Sequence, residues 1–198
     1  SNILLIDEVA AIDVQKSEEG LEARLIHQVG GTITVKSSDD GLNAKDWTLE
    51  SSEGQGPGQQ TKKVKSEATN AKNLDRVGDV KIVIDGGTLT VDAEGDGLDA
   101  NGSIEINGGT IVVNGPTSGA NAALDYDDNG ILNGGTVLFV DNGQMTMGFG
   151  SDSNQAYLMA SIQGTAGSTV EVVDSSGKTV ASLKASKSFS TVLISSPE

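Results

Sequence analysis

The fold is decided by the stretch Gly86-Gly87-Thr88-Leu89-Thr90-Val91, which is followed four residues later by Asp96-Gly97-Leu98-Asp99-Ala100. Both motifs recur along the chain. Further copies of the first begin at Gly30, Gly108 and Gly134; further copies of the second begin at Glu19 and Asp40, with a shortened one at Ala123-Leu124-Asp125. Because self-similarity at a short step is the signature of stacked repeats, one repeating unit is expected to build the chain.

Each unit is about 21 residues long, since Ile12 and Val14 align with Ile33 and Val35. Thr, Val and Ile alternate between glycine-rich turns, which favours short strands over helices. A unit of this length is too short for a strand–helix–strand repeat and lacks the leucine spacing of leucine-rich repeats. The sequence therefore predicts an all-β protein: a right-handed parallel β-helix (a solenoid) in which each turn pairs with the next.

The β-helix is predicted to span residues 1–165, with an inserted loop at residues 46–79 where one repeat step is much longer than the others. Residues 166–198 are predicted to form a C-terminal antiparallel β cap of the same domain, because two strands flank a turn at Asp174-Ser175-Ser176-Gly177. At the amino end, Ile3-Leu4-Leu5-Ile6 reads as a strand at the very start of the chain, so a fragment or a processed form is expected.

The composition excludes several classes of function. The 198 residues carry 13 Lys and Arg against 28 Asp and Glu, and the net charge of −15 repels phosphate backbones and anionic lipid surfaces. Nucleic acid is therefore not expected as a partner, and no apolar run is long enough for membrane insertion. Without cysteine the chain has neither disulfides nor thiolate metal sites, whereas its carboxylates suit a cation.

Stacking the repeats places acidic residues in two columns. Glu19, Asp40 and Asp96 form the first; Glu22, Asn43, Asp99 and Asp125 form the second. Neighbouring strands lie about 4.8 Å apart, a spacing that two calcium–oxygen bonds of about 2.4 Å span. Oxygen ligands favour calcium over zinc. The alternative interpretation is that the Asp-Gly pairs are ordinary turn residues with hydrated carboxylates.

A further oxygen-rich loop lies at Asp125-Tyr126-Asp127-Asp128-Asn129-Gly130. It matches the first six positions of an EF-hand loop, but Thr136 stands at the twelfth position and strands are predicted on both sides, so an EF-hand is not expected. Asp125, Asp127 and Asn129 are candidate calcium ligands without that motif.

The candidate sugar-binding residues lie in the inserted loop. Trp47 is the sole tryptophan, and an aromatic face beside a flat sheet suits stacking on a sugar ring. Alternatively, Trp47 covers the sheet wall beneath the loop. Lys62, Lys63 and Lys65 form the only basic cluster, and they either contact an anionic ligand or are hydrated on the loop.

The sequence disfavours catalysis. His27 is the only histidine, which leaves no complete serine–histidine or cysteine–histidine arrangement, and it is expected to face solvent. No Lys or Arg lies between Lys81 and Lys178, so the most repetitive surface lacks the base that a lyase places beside calcium. We therefore expect no enzyme activity; a polysaccharide lyase is the catalytic alternative.

Residues 95–110, together with 113–117 and 123–127, resemble the bacterial family of cellulose- and acidic-sugar-binding parallel β-helix proteins. Residues 18–22, 38–44 and 187–197 resemble other parts of the same family. The resemblance implies a fold similar to that of polysaccharide lyases, bound calcium, plant cell-wall polysaccharide as the partner, and an extracellular or surface-anchored bacterial location. Asp39, beside Asp40 in the second of these segments, is counted with the expected calcium ligands.

Two functions remain open at this point. The first is a non-catalytic, calcium-dependent module that binds cellulose or a polygalacturonate-like polymer. The second is a structural surface or filament subunit that stacks head to tail through open β-helix ends, with Ile3-Leu4-Leu5-Ile6 as the joining strand.

Overall fold

The computed structural model describes residues 2–47 and 79–197 of the chain, and its strands come in groups of three. The first two groups are β1 (Ile3–Ile6), β2 (Ala11–Ser17), β3 (Leu21–Ala23), then β4 (Leu25–Gln28), β5 (Thr32–Ser37), β6 (Leu42–Ala44). The next two are β7 (Lys81–Ile84), β8 (Thr88–Ala93), β9 (Leu98–Ala100), then β10 (Ser103–Ile106), β11 (Thr110–Asn114), β12 (Leu124–Tyr126). The remaining strands are β13 (Gly130–Leu132), β14 (Thr136–Asp141), β15 (Leu158–Gly164), β16 (Thr169–Val173), β17 (Thr179–Lys184) and β18 (Phe189–Ser195).

Equivalent strands of successive groups lie side by side in three sheets. Their orders are β1-β4-β7-β10-β13, β12-β9-β6-β3 and β15-β18-β14-β11-β8-β5-β2, and β16 and β17 form a separate hairpin. All pairs in the first two sheets are parallel. In the third, only the β14–β18 and β18–β15 pairs are antiparallel. The prediction of an all-β protein is confirmed, and the mostly parallel sheets are compatible with a β-helix.

The strand register follows the alignment of the repeats. Ile12 pairs with Ile33, and Thr88 lies between Thr32 and Thr110. The second glycine of each Gly-Gly-Thr motif has a positive φ, between 75° and 89° in the four copies. Since residues with a Cβ avoid that region, the glycine pair makes the turn that begins each strand of the third sheet.

The core consists of like residues stacked from group to group. In the third sheet the alternate residues of β5, β8, β11 and β14 point inward, and each is at most 1% exposed: Ile33, Val35, Leu89, Val91, Ile111, Val113, Val137 and Phe139. Isoleucines of the first sheet and leucines of the second complete this cluster. The core is therefore aliphatic, as a chain with 3% aromatic residues requires.

The predicted C-terminal hairpin is present as β16 and β17, which pair antiparallel. It builds a second apolar cluster on the outer face of the third sheet, where Leu183 and Ala181 pack with Val112, Leu138 and Val140. The sequence did not predict β15, because its side chains are exposed on both faces and show no alternation. The domain limits at residues 165 and 166 and the loop limits 46–79 stay predictions.

A ladder of side-chain hydrogen bonds runs along the end of the first sheet. Asn154 donates to Asn133, Asn133 to Asn107, and Asn107 to Asp85, each over 2.7–2.8 Å. The second Asp85 oxygen lies 2.7 Å from His27 Nε2, and the His27 side chain is 16% exposed. The expectation that His27 faces solvent is therefore wrong, because Asp85 one repeat further on holds its ring.

Candidate functional site

The acidic columns of the sequence lie in register along the second sheet. Glu22 of β3 pairs with Asn43 of β6, Asn43 with Asp99 of β9, and Asp99 with Asp125 of β12. The leucines that precede them point into the core, so the acidic side chains point outward. We call these residues, with Glu19, Asp40 and Asp96 in the preceding turns, the acidic ladder.

The glycine of each Asp-Gly-Leu motif allows this close stacking. A Cβ placed on Gly97 would lie 2.4 Å from Val113 Cγ1 and 2.5 Å from the Ala123 carbonyl oxygen. Gly41 has the same close approach to Val91 and to the Gly97 carbonyl oxygen. The motif thus brings the acidic residue of one turn against the backbone of the next.

In the first column, Asp40 and Asp96 each use one carboxylate oxygen to accept a hydrogen bond from a backbone N–H. Asp40 Oδ1 accepts the N–H of Asp96 over 2.7 Å, and Asp96 Oδ1 accepts the N–H of Ala122 over 2.5 Å. Asp40 Oδ2 accepts a hydrogen bond from Asn43 Nδ2 over 3.0 Å. One oxygen of each aspartate is therefore bound to the backbone of the next repeat, and the second oxygen of Asp96 has no donor from the described part of the chain.

Asn43 sits in the middle of the ladder and is only 4% exposed. Its amide nitrogen donates to Asp40 and, over 3.4 Å, to Glu19 Oε1. Its carbonyl oxygen Oδ1 is buried without a partner among the described residues, and so is Glu19 Oε2. A buried acceptor left unsatisfied costs about 1–3 kcal/mol, so each of these two oxygens favours a donor or a cation.

The ladder concentrates negative charge in a partly desolvated place. Burial first, and then the nearby Asp40 and Asp125 carboxylates, raise the pKa of Asp96 and of Asp99 to about 7. Burial also raises the pKa of Glu19 and of Asp40, with Asp39 adding to both. Lys45 opposes the rise in pKa at Glu19 and Asp40, whereas no described Lys or Arg does so at Asp96 or Asp99.

The cations that the structure describes near the ladder lie at its first turns. Lys45 Nζ is 3.7 Å from Glu22 Oε1 and 5.9 Å from the centre of the Trp47 ring. Trp47 therefore lies near the first turns of the ladder. The other predicted sugar-binding residues, Lys62, Lys63 and Lys65, lie outside the described residues.

The other predicted ligands lie at the edges of the ladder. Asp39 is exposed, and its carbonyl oxygen accepts the N–H of Gly95. Asp127 is exposed and close enough to Asp99 to raise its pKa. Asn129 is exposed in the turn before β13, and its recorded hydrogen bond uses the backbone carbonyl oxygen, which accepts the N–H of Ile104. The strands β12 and β13 flank this turn, as expected for a loop that is not an EF-hand.

The ladder is a line of carboxylates and not a closed cage. Within residues 2–47 and 79–197, no three Asp, Glu or His side chains converge as a preformed metal cluster. Its donor set nevertheless fits an oxygen-seeking cation, because the ladder combines the unpartnered Asn43 and Glu19 oxygens with carboxylates of raised pKa at Asp40, Asp96 and Asp99. An ion bridging neighbouring turns would take carboxylates in pairs and complete its shell with water.

Sequence reasoning missed an aromatic cluster at the far end of the sheets. Phe149 packs edge-on against Tyr157 with ring centres 5.7 Å apart, and the Tyr126 hydroxyl donates to the Gly148 carbonyl oxygen over 2.6 Å. A shallow groove beside it is lined by Ser151, Ser153 and Asn154. The scattered aromatic residues of this segment carry no repeat pattern that could have revealed the cluster.

Comparison with known proteins gives one match. A family model described as carbohydrate-binding domain-containing protein matches residues 57–196. No curated protein and no solved structure matches the chain. In the described part of the chain, no helix is both long enough and apolar enough to cross a membrane.

Proposed function

Since the chain belongs to the family of carbohydrate-binding domain-containing proteins, we propose that it is a non-catalytic, calcium-dependent module for plant cell-wall polysaccharide. Its target is cellulose or a polygalacturonate-like polymer, and its strands form a right-handed parallel β-helix. We place it outside the cell or on the surface of a bacterium, where such a polymer is met.

The observation that carries calcium binding is the surroundings of Asp99. Its carboxylate is half-buried among Asp40, Asp96, Asp125 and Asp127, and no described Lys or Arg pairs with it. The unpartnered Asn43 Oδ1 belongs to the neighbouring strand at the paired position. A calcium ion would satisfy this oxygen and neutralise the carboxylates in one step.

The residues that would hold calcium are those of the acidic ladder, with Asp39 and Asp127 at its edges and Asn129 in the adjoining turn. When bound, calcium supplies positive charge to a surface that otherwise repels an acidic sugar. The chain has a net charge of −15, so an anionic polymer needs such bridging cations. Trp47 beside Lys45 and Glu22 offers a ring on which the sugar can stack.

Two observations support the absence of catalysis. His27 is held by Asp85 in the first sheet, whereas the strands of the acidic ladder form the second sheet. Among the described residues, no Lys or Arg forms an ion pair with Asp96 or Asp99, so neither carboxylate has a paired base for a lyase reaction. A lyase would release unsaturated products that absorb in the ultraviolet, and we expect none from pectate.

The test is retention on insoluble polymer. The chain is mixed with cellulose and with calcium-free pectate beads, in millimolar calcium or in EDTA, and the bound fraction is measured. We expect binding to at least one polymer in calcium, with loss in EDTA and in Asp99→Asn. Asp174→Asn, in the exposed turn of the hairpin, is the matched control and should bind like the wild type. Binding to neither polymer in excess calcium contradicts the proposal.

The head-to-tail filament is a second candidate, favoured by the exposed apolar side chains of β1. Ile3 is 51% and Leu5 is 64% exposed on β1, the end strand of the first sheet. Against it, the opposite end of the third sheet is closed by antiparallel β18 and β15, which cannot continue a parallel stack. Loss of assembly in Leu5→Lys would support the filament, and a monomer at high concentration would contradict it.

A further inference from the structure

The strand β15 is an exposed apolar edge. It ends the seven-stranded sheet and pairs with β18 on one side, and no strand of the described residues pairs with its other side. Leu158 is 58%, Met159 43% and Ile162 51% exposed, and Tyr157 just before the strand is 36% exposed. Four of the nine large apolar side chains exposed in the described residues thus fall within six consecutive positions. An open edge with this composition is a template for another strand.

The other long edge strand of the same sheet is protected where β15 is not. β2 also has seven residues, but Asp13 and Lys16 interrupt it. Charged edge residues of that kind discourage pairing between sheets. β15 has neither a charge nor a proline. Its pairing with β18 is irregular only between Ser161 and Gly164, so the two strands pair regularly from Leu158 to Ser161.

The charge distribution points to the occupant. Residues 153–170 contain no charged side chain, although 21% of the whole chain is charged. Two copies of a protein with a net charge of −15 repel one another, and they repel least where their surfaces meet at this uncharged edge. The β15 strand of a second copy is also uncharged, so it can approach this edge without bringing charge to it. An acidic or basic peptide would bring charge to the edge.

We propose that the protein forms a two-fold dimer in which β15 pairs antiparallel with β15 of a second copy, so that the two seven-stranded sheets become one continuous sheet. An axis at Ala160 sets Leu158 of each copy opposite Ile162 of the other, and Met159 opposite Ser161. Apolar cross-strand pairs of this kind stabilise antiparallel sheets. The interface is isologous and closed, so it yields a dimer and not a fibre.

The dimer would present two acidic ladders on one particle. A polymer that reaches both ladders binds more tightly than one that reaches a single ladder, because its second contact is intramolecular. This consequence rests on the proposed function, whereas the dimer does not.

The first test is the solution mass of the 198-residue chain, measured by sedimentation from about 1 μM to about 1 mM, a range that reveals even millimolar dissociation constants. We expect a rise from 20.2 kDa towards twice that mass, in calcium and in EDTA alike. Ile162→Lys should remain monomeric. Val173→Lys is the matched control, because Val173 is also 51% exposed but lies in the hairpin, and it should dimerise normally.

A monomeric wild type at the highest concentration overturns the proposal, and so does dimerisation that Ile162→Lys leaves intact. If Leu5→Lys and not Ile162→Lys abolishes assembly, the contact lies at β1 and the proposal is likewise overturned. None of these outcomes depends on sugar or calcium binding, so failure of the proposed function is seen separately.

The second test uses the absence of cysteine from the chain. Opposed residues of antiparallel strands have Cα atoms about 4.5–5.5 Å apart, within the range that a disulfide spans. Ala160→Cys on the proposed axis should therefore form an intermolecular disulfide under mild oxidation. Ser182→Cys, exposed in β17, is the control. Equal yields from the two variants, or none from Ala160→Cys, overturn the pairing.

Discussion

At the scale of single residues, the molecule is defined by carboxylates that lie too close together for water alone to balance. Asp96 and Asp99 each feel Asp40 and Asp125, and both are partly desolvated. Asp96 recovers some stabilisation from the N–H of Ala122, whereas Asp99 has no such donor in the described residues. Asp99 is therefore the residue at which a bound cation makes the largest difference.

Asp99→Asn should have opposite effects with and without calcium. In EDTA the variant loses a half-buried charge with four like-charged neighbours, so we expect the Tm to rise by about 2–4 °C, the shift that ~1 kcal/mol gives in a chain of this size. When calcium is added, the Tm of the variant should rise much less than the Tm of the wild type. Melting curves by circular dichroism measure both. Asp174→Ala should keep the full calcium response, and an unchanged response in Asp99→Asn would contradict the assignment.

The pH dependence of the calcium-free protein follows from the same residues. Their pKa is about 7 in the folded chain against 3.8 in the unfolded one. Between those values the folded state holds more protons, so the free energy of unfolding falls as the pH rises. In EDTA the Tm should be higher at pH 5 than at pH 7.5, and excess calcium should remove or reverse that slope. A Tm in EDTA that rises with pH over this interval would show that these carboxylates are not desolvated.

Sequence reasoning predicted which residues form the columns, because the repeat alignment fixes the strand register. It did not predict that Asp40 and Asp96 each give one oxygen to the backbone of the next turn, nor that Asn43 Oδ1 is left without a partner. Those details depend on how closely neighbouring turns approach, which a one-dimensional pattern does not contain. The contribution of Lys62, Lys63 and Lys65 stays a prediction.

At the scale of elements, hydrogen-bonded side chains tie the turns of the first sheet together. Asn107 is the central member, since its amide donates to Asp85 and its carbonyl oxygen accepts from Asn133. Asp85, Asn107 and Asn133 each stand directly before a glycine pair, and they bond to their equivalents in the neighbouring repeats because stacking brings those side chains to within 2.8 Å.

Asn107→Ala should destabilise the protein by about 1–3 kcal/mol, since it leaves two part-buried partners unsatisfied. Urea unfolding followed by circular dichroism measures the change. Asn101 is an exposed asparagine just before β10. The free energy of unfolding of Asn101→Ala should stay within about 0.5 kcal/mol of the wild-type value. Equal effects of the two variants would mean that the side-chain hydrogen bonds of Asn107 add nothing to stability.

The C-terminal hairpin stabilises the outer face of the third sheet through its buried side chains. Leu183 is 3% exposed and packs with Leu138 and Val140, so Leu183→Ala should cost about 2–5 kcal/mol in urea unfolding. Val173→Ala in the same hairpin is the control: Val173 is half exposed, and its truncation should cost less than about 0.5 kcal/mol. A small effect of Leu183→Ala would show that the hairpin is only loosely attached.

The repeated strands were predictable because their inward residues recur with the repeat, and the hairpin because a glycine-containing turn separates two alternating strands. β15 was not predictable by those means. It follows the last Gly-Gly-Thr motif without a copy of its own, and its orientation depends on β18, about 30 residues further along. The reversal from parallel to antiparallel pairing is a long-range effect that local patterns do not carry.

At the scale of the whole molecule, the net charge is −15, and the acidic ladder aligns part of the negative charge along the second sheet. The core is aliphatic and no disulfide constrains the chain. An ion that binds only the folded state therefore contributes a large part of the stability: one site at a hundredfold excess over its dissociation constant adds about 2.7 kcal/mol, against typical totals of about 5–15 kcal/mol.

The central claim is that the acidic ladder binds calcium, and calorimetric titration of calcium into the EDTA-stripped and dialysed chain at pH 7.5 tests it most directly. We expect saturable binding of at least one ion by the wild type and by Asp174→Ala, and loss of that binding in the Asp96→Asn/Asp99→Asn double variant. Circular dichroism confirms that the double variant is folded. Absence of saturable binding in the wild type, or unchanged binding in the folded double variant, would contradict the claim and leave the acids as turn residues.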